Sequence, residues 1–376
     1  MRTPFGSYWI DRKVAVGGMA EIYHAFDAHE HEVAIKKIHP DLASQEKFIQ
    51  MFLDEVRIVI QLNHPNIVQL LDFGLAEGAY FFSMEWIDGK SLSEINVAQK
   101  KMRIRFPVDV AMWMIKDVCE GLHYAHQKQD RFKKPMNLVH RDVSPPNIMA
   151  TRDGVFKVAD FGIAHVRDKN VRTQPGIIRG KFSYMSPEQS LGKPLDHRSD
   201  IFSAGVVLHE VLADTRLFLR KNEIDTLDAV RKCEVPSIKQ KRPDVPGEVE
   251  VMIKKSLSQA ASARYRTALE MAESAETVLR ERYPKSTRAD IITFFSQIFP
   301  QEKFASQKTT AKKTSRSNFR SSLYTQSAGG GTKTVLSGAQ NTSSILLFVA
   351  DFLLAHRYWI STGLGLGCLF LIEYFI

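Results

Sequence analysis

The sequence predicts an α+β chain with a small strand-rich first part, a larger helical second part and a tail that ends in an apolar segment. Three observations predict it. Residues 1 to about 85 hold short runs of β-branched and aromatic residues around one helical stretch; residues from about 90 to 284 carry helical periodicity; and from Ser306 the composition shifts. A length of 376 residues fits two or three folding units, or one large two-part unit. Hydrophobic content of 44% and charged content of 25% exclude a wholly disordered chain, a collagen-like chain and a multi-span membrane protein. No internal repeat is present.

In chain order, Glu32–Ile38 (EVAIKKI) and Ala79–Trp86 (AYFFSMEW) are strand-like. Between them Glu46–Leu62 has helical spacing, with Phe48, Phe52, Val56, Val59 and Ile60 on one side, and Asn63-His64-Pro65 stops it. Val108–His126 is a second helix. Ile201–Leu212 (IFSAGVVLHEVL) is nearly all apolar and reads as a buried one. QKQDRFKKPMNL, before Val139, reads as a polar surface insertion. In the 39 residues from Ser306 to Ser344, sixteen are Ser or Thr, which reads as a flexible basic tether unable to offset chain entropy by burial.

Cys119, Cys233 and Cys368 are isolated, so neither a disulfide framework nor a CxxC zinc pattern can be built, and a reducing compartment is expected. The net charge is +9, and residues 301–376 hold eight Lys/Arg against three Asp/Glu. With no zinc-finger or basic-zipper signature, that excess does not point to nucleic acid. The start, MRTPFGSYWIDRKV, has no run of signal-peptide length.

The chemistry lies in a set of motifs. His140-Arg141-Asp142 is followed five residues after the aspartate by Asn147, and then by Asp160-Phe161-Gly162. Upstream, Val33-Ala34-Ile35-Lys36 sits on a strand and Glu55 on the next helix. In this order and spacing the sequence resembles the bacterial members of the eukaryotic-type (Hanks-type) Ser/Thr protein kinases, over about Tyr8 to Arg282. The resemblance implies a two-lobed protein-kinase-like fold: N-lobe 1–87, C-lobe 88–284, an extension 285–305, the tether 306–344 and an apolar segment 345–376.

It also implies roles. Phosphoryl transfer needs positioning and charge neutralisation rather than covalent chemistry. Lys36, oriented by Glu55, would hold the ATP phosphates. Asn147 and Asp160 would ligate Mg²⁺, a hard cation suited to oxygen. Asp142 would take the proton of the attacking hydroxyl. ATP contacts would come from Val14, Ala15, Val16, Gly17, Gly18, Met19, Ala20, Glu21, Ile22, Ala34, Met84, Glu85 and Ile87, with Met84 at the back of the adenine pocket and Glu85-Trp86-Ile87 as the hinge. Glu188 would pair with Arg264, and Asp200 would anchor the catalytic loop. Arg141 would receive a phosphate on Thr173, with Ser183 and Tyr184 as alternatives; otherwise Thr173 is a plain loop residue.

Two departures stand out. The Gly-rich loop keeps Gly17, with Gly18 beside it, while alanines occupy its outer positions. This predicts weaker nucleotide grip or slower turnover, or else a loop that no longer grips phosphate. Family members carry a lysine where this chain has Ser144, and Gly-Thr where it has Gly180-Lys181. Either Lys181 supplies the missing charge at the γ-phosphate or it is a solvated loop lysine.

Tyr358–Ile376, YWISTGLGLGCLFLIEYFI, is long enough as a helix to span a bilayer. With His356, Arg357 and the basic tether on its inner flank, the reading is a single-pass protein of the cell membrane with the kinase cytoplasmic and no external sensor domain. Gly363 and Gly367 have the spacing of a helix-dimer face, which would make a homodimer. The alternative is a helix that folds back on the kinase or lies on the membrane. The expected function is an ATP- and Mg²⁺-dependent Ser/Thr kinase of protein substrates that also phosphorylates itself. The competing one is a catalytically impaired, membrane-localised scaffold. A small-molecule kinase is disfavoured by the full activation segment, Gly180 to Glu188.

Overall fold

Strand β4 (Glu32–Ile38) turns its residues alternately to two sides of a sheet, and this places the first site residues. Val33 and Ile35 enter an apolar cluster with Phe5, Tyr8, Ala25 and Phe81, while Ala34 and Lys36 share the opposite face. The computed structural model describes residues 1–17, 20–39, 56, 59–130, 132–161, 180–302, 324–326 and 333–335. The sheet has six antiparallel strands in the order β1-β2-β3-β4-β6-β5, the others being β1 (Thr3–Phe5), β2 (Tyr8–Val16), β3 (Ala20–Phe26), β5 (Leu70–Ala76) and β6 (Ala79–Glu85). Of the helix expected over Glu46–Leu62, residues 56 and 59–62 are described; Val56 and Val59 are helical and buried, with Ile60 N on Val56 O at 3.0 Å.

A short sheet opens the larger part: β7 (Gly89–Ser91), β8 (Ile148–Thr151) and β9 (Phe156–Val158). It needs a glycine at its start, because a Cβ on Gly89 would lie 1.9 Å from the Ala150 carbonyl oxygen. Helix α1 (Leu92–Met102) begins in a Ser91/Glu94 capping box, and α2 (Val108–His126) is the helix expected there. The short α3 (Pro187–Ser190) precedes α4 (Arg198–Ala213), which is buried from Ser199 to Ala213, as its apolar sequence requires. Helices α5 (Glu223–Lys232), α6 (Gly247–Ser256) and α7 (Ala268–Arg282) follow.

The segment after residue 284 is built into this larger part. Helix α8 (Arg288–Ile298) buries Ile291, Phe294, Phe295 and Ile298. Arg288 grips Asp117 of α2 with two bonds of 2.6 Å, donates to the Gly154 carbonyl at 2.9 Å and lies 4.4 Å over the Trp113 ring. Beyond it, Glu302 meets Lys90 of β7 at 2.8 Å.

The chain divides into two compact units, Met1–Lys312 and Lys313–Ile376. In the second, β10 (Tyr324–Gln326) pairs antiparallel with β11 (Lys333–Val335), inside the stretch expected to be a tether. Among the described residues no helix is long and apolar enough to cross a membrane. The expected span, 358–376, lies outside the described residues, as does the whole of 345–376.

Candidate active site

One carboxylate shapes the loop that carries Asp142. Asp200, fully buried in the first turn of α4, accepts the backbone N–H groups of His140 and Arg141 at 2.8 Å each, and the His126 ring Nε2 lies 2.7 Å away. Burial alone would raise its pKa, but His126, His140 and the Arg141 amide hold it below the usual carboxylate range. These bonds, with Gln189 donating to the Arg141 carbonyl at 2.8 Å, hold Arg141 at φ +68°, a conformation that costs a non-glycine residue about 1–2 kcal/mol. The His140 ring accepts from Asp142 N on Nδ1 at 3.2 Å, so its Nε2 carries the proton given to the Ala159 carbonyl at 3.0 Å. That contact, and Ala159 N on Asn147 O at 2.9 Å, tie the catalytic loop to the strand end bearing Asp160.

Five charged or oxygen-bearing residues meet there. Lys36 Nζ is 3.0 Å from Asp160 Oδ1, and Lys181 Nζ is 2.8 Å from Asp142 Oδ2. Asn147 Nδ2 donates to the Asp142 carbonyl at 2.8 Å, which leaves its Oδ1 available to a cation. Asp160 takes φ +54°. Burial would raise its carboxyl, but Lys36, then His140 and Lys181, pull it below the ordinary value. Among the described residues no cluster of three or more His, Cys, Asp or Glu could hold a metal by itself. Magnesium does not require one: it takes one or two carboxylates plus phosphate and water oxygens, and the Asn147/Asp160 donor set fits it. Bound there, Mg²⁺ would neutralise phosphate charge.

On the nucleotide side, Ala34 and Met84 are register partners across β4 and β6, so they lie side by side on the cleft face. Val14, Ala15, Val16 and Gly17 are exposed on the β2–β3 hairpin, which Gly17 N closes on Ala20 O at 2.8 Å; Ile22 is half-buried. Glu21 is bound by Lys13 at 2.6 Å and by the Tyr23 hydroxyl, so its carboxylate is engaged away from a ligand. The Glu85 side chain is likewise held, by Lys157 at 2.7 and 2.9 Å and by Gln69 N at 2.8 Å, and its backbone N–H donates to the Gln69 carbonyl at 2.9 Å. Ile87 is half-buried. Gly18, Met19, Glu55 and Thr173 lie outside the described residues.

The expected alternatives to Thr173 are both buried, Ser183 at 0% and Tyr184 at 5% exposed. Both belong to a platform that sequence reasoning missed. Arg216 donates to Ser183 Oγ at 2.8 Å and to the Gly180 carbonyl at 3.3 Å, and pairs with Glu210 at 3.2 Å. The Tyr184 hydroxyl donates to Glu210 Oε2 at 2.8 Å. No local motif flags Arg216 or Glu210; the one available signal is a charged residue, Glu210, inside the apolar helix. Ser144 is 4% exposed, with its Oγ 3.4 Å from the Asp142 carbonyl. Arg141 Nε is buried and, among the described residues, has no hydrogen-bond partner.

A strand-rich lobe carrying a lysine, a helical lobe carrying an aspartate–asparagine loop, and a segment whose Glu188 accepts two hydrogen bonds from Arg264 define a protein kinase domain. A family model described as the protein kinase domain matches residues 8–281, and the chain belongs to that family, which uses ATP and Mg²⁺. Its relatives are bacterial Hanks-type kinases, as the motifs imply. The tyrosine-protein kinase MasK of Myxococcus xanthus is 39% identical over 305 residues, 80% of this chain and 47% of that protein. The serine/threonine-protein kinase PrkC of Bacillus subtilis is 33% identical over 273 residues, 72% of this chain and 40% of that protein. The chain thus spans less than half the length of these curated relatives. The crystal structure of the Mycobacterium tuberculosis PknI kinase domain, 24% identical, matches 73% of this chain and 97% of that one with a TM-score of 0.55, which shows the shared fold.

Proposed function

We propose that this chain transfers the γ-phosphoryl group of Mg²⁺-bound ATP to serine or threonine hydroxyls of proteins, and to its own activation segment. The observation that carries this reading is the meeting of Lys36, from strand β4, with Asp160, next to Asp142 and Asn147 on the loop that Asp200 shapes. Asp142 orients the acceptor hydroxyl and takes its proton; Lys36 and the Asn147/Asp160 oxygens position the phosphates and the metal. The serine/threonine preference leans on the names of relatives such as PrkC, and the name of MasK favours the second reading, tyrosine. The buried Arg141 Nε, without a hydrogen-bond partner among the described residues, supports a phosphate arriving from the activation segment.

We extend the reading to a single C-terminal span over 358–376 that holds the kinase at the cytoplasmic face of the cell membrane, with Gly363 and Gly367 available to a second copy. The test is transfer of labelled γ-phosphate by the full chain in detergent, wild type beside Asp142→Asn, followed by phosphoamino-acid analysis. Label on serine or threonine that vanishes in the variant supports the proposal, and label on tyrosine moves it to the second reading. ATP binding without labelling would make the chain a scaffold.

A further inference from the structure

The Lys181 ammonium sits directly beside the carboxylate of Asp142. It is 2.8 Å from Asp142 Oδ2, its charge also acts on Asp160, and its side chain is 39% exposed while that of Asp142 is 12% exposed. It is not an arbitrary loop lysine. It immediately precedes the short helical turn Phe182–Tyr184, and the residues on either side of it are pinned: Gly180 by Arg216, Ser183 by Arg216, and Tyr184 by Glu210 and by Ser203, which donates to the Tyr184 carbonyl at 2.7 Å. The other ammonium at the site, Lys36, is committed to Asp160 from the opposite lobe. Within the catalytic loop itself, Ser144 is buried and neutral.

We infer that Lys181 is a catalytic residue of the phosphoryl transfer proposed above, and that it contacts the γ-phosphate. In that step the acceptor oxygen bonds to the γ-phosphorus while its proton passes to the Asp142 carboxylate. The bond from the γ-phosphorus to the β–γ bridging oxygen breaks, and ADP leaves with its electron pair. Negative charge on the transferred group is met by the ammonium placed beside the base. A preorganised cation there is worth most in the transition state, where removing one such group costs about 10²-fold.

The inference rests on the kinase reading, and its test separates the two. Lys181→Ala, Lys181→Arg and wild-type full chain are compared in two measurements. The first is nucleotide binding without turnover: the affinity ratio of a non-hydrolysable ATP analogue to ADP, with Mg²⁺. Lys181→Ala is expected to bind ADP as wild type does and to lose the preference for the analogue, with Lys181→Arg retaining most of it. The second is steady-state transfer: kcat is expected to fall by about 10²-fold in Lys181→Ala with the KM for ATP changed less than about threefold. An unchanged ratio or an unchanged kcat overturns the inference. So does a faster Lys181→Ala, which would make the ion pair a plug on Asp142. A wild type that binds nucleotide but transfers nothing would sink the kinase reading, while the binding ratio still decides the contact. A Ser144→Lys/Lys181→Thr chain that melts normally should recover transfer; one that melts normally yet stays slow overturns the charge argument.

Discussion

Arg264 meets Glu188 edge to edge, Nη1 on Oε1 at 2.7 Å and Nη2 on Oε2 at 2.8 Å, with the arginine side chain wholly buried. Burial alone would raise the Glu188 carboxyl, but Arg264 and the Ser199 hydroxyl bring it down to about 2. A depressed pKa contributes stability that is present above the ordinary value of 4.5 and is lost as pH falls toward about 2. Glu188→Gln should cost about 3 kcal/mol at neutral pH and flatten the acid limb of stability across that window. Denaturant melts from pH 6 to 2.5 check this; parallel curves for variant and wild type would refute it.

Asp72 moves the other way. It lies in the smaller lobe beneath Tyr8, whose hydroxyl donates to it at 3.0 Å, and burial raises its carboxyl to about 6. The folded chain therefore holds a proton that the unfolded chain gives up near 3.8, and stability falls as pH rises from about 3.8 through 6. Asp72→Asn removes that loss and should stabilise the protein at pH 7 by on the order of 1–3 kcal/mol. A thermal melt at pH 4.5 and pH 7 reads it, with a larger gain expected at the higher pH.

Arg288 offers a sharper destabilisation. Without its guanidinium, Asp117, 1% exposed, keeps among the described residues only the Phe156 N–H at 2.9 Å. Arg288→Ala should cost about 3–5 kcal/mol, and Arg288→Lys should recover only part, since one ammonium cannot reproduce the two-pronged contact. Trp113, whose ring lies under Arg288, makes the change visible in fluorescence.

At the site, Asp160→Asn is expected to weaken Mg²⁺ dependence and lower kcat by about 10²-fold or more, with the fold intact by circular dichroism. Titration of transfer rate against Mg²⁺ would show it as a rightward shift; an unmoved titration would exclude Asp160 as a ligand.

Much of the site was legible because phosphate and metal chemistry admit few substitutes. Asp142, Asn147, Asp160 and Lys36 announce themselves by identity and spacing. The helices over Val108–His126 and Ile201–Leu212 were legible from their apolar pattern. The insertion after His126 was read only as polar surface. In the structure Gln129 bridges to Pro135, and Asp130 caps the turn by accepting from Phe132 N and Lys134 N at 2.8 and 2.9 Å. What could not be read were contacts between distant segments. Nothing near Arg288 names Asp117, 171 residues away, and nothing near Arg216 says that it will hold Ser183, 33 residues upstream. Such pairs depend on how helices pack, and a periodic pattern states which face is buried but not what it meets.

The carboxylate of Asp200 has a kinetic meaning as well. It joins His126, His140 and Arg141 across 74, 60 and 59 residues of chain. Each of those loops carries a closure entropy that a local turn does not, and the contacts of Asp200 must offset it. During synthesis from the ribosome, the Lys36 strand and the His140–Asn147 loop emerge well before the residue that gives the loop its shape. Competence for chemistry therefore waits for α4, and a nascent chain halted before Asp200 carries the motif without the geometry.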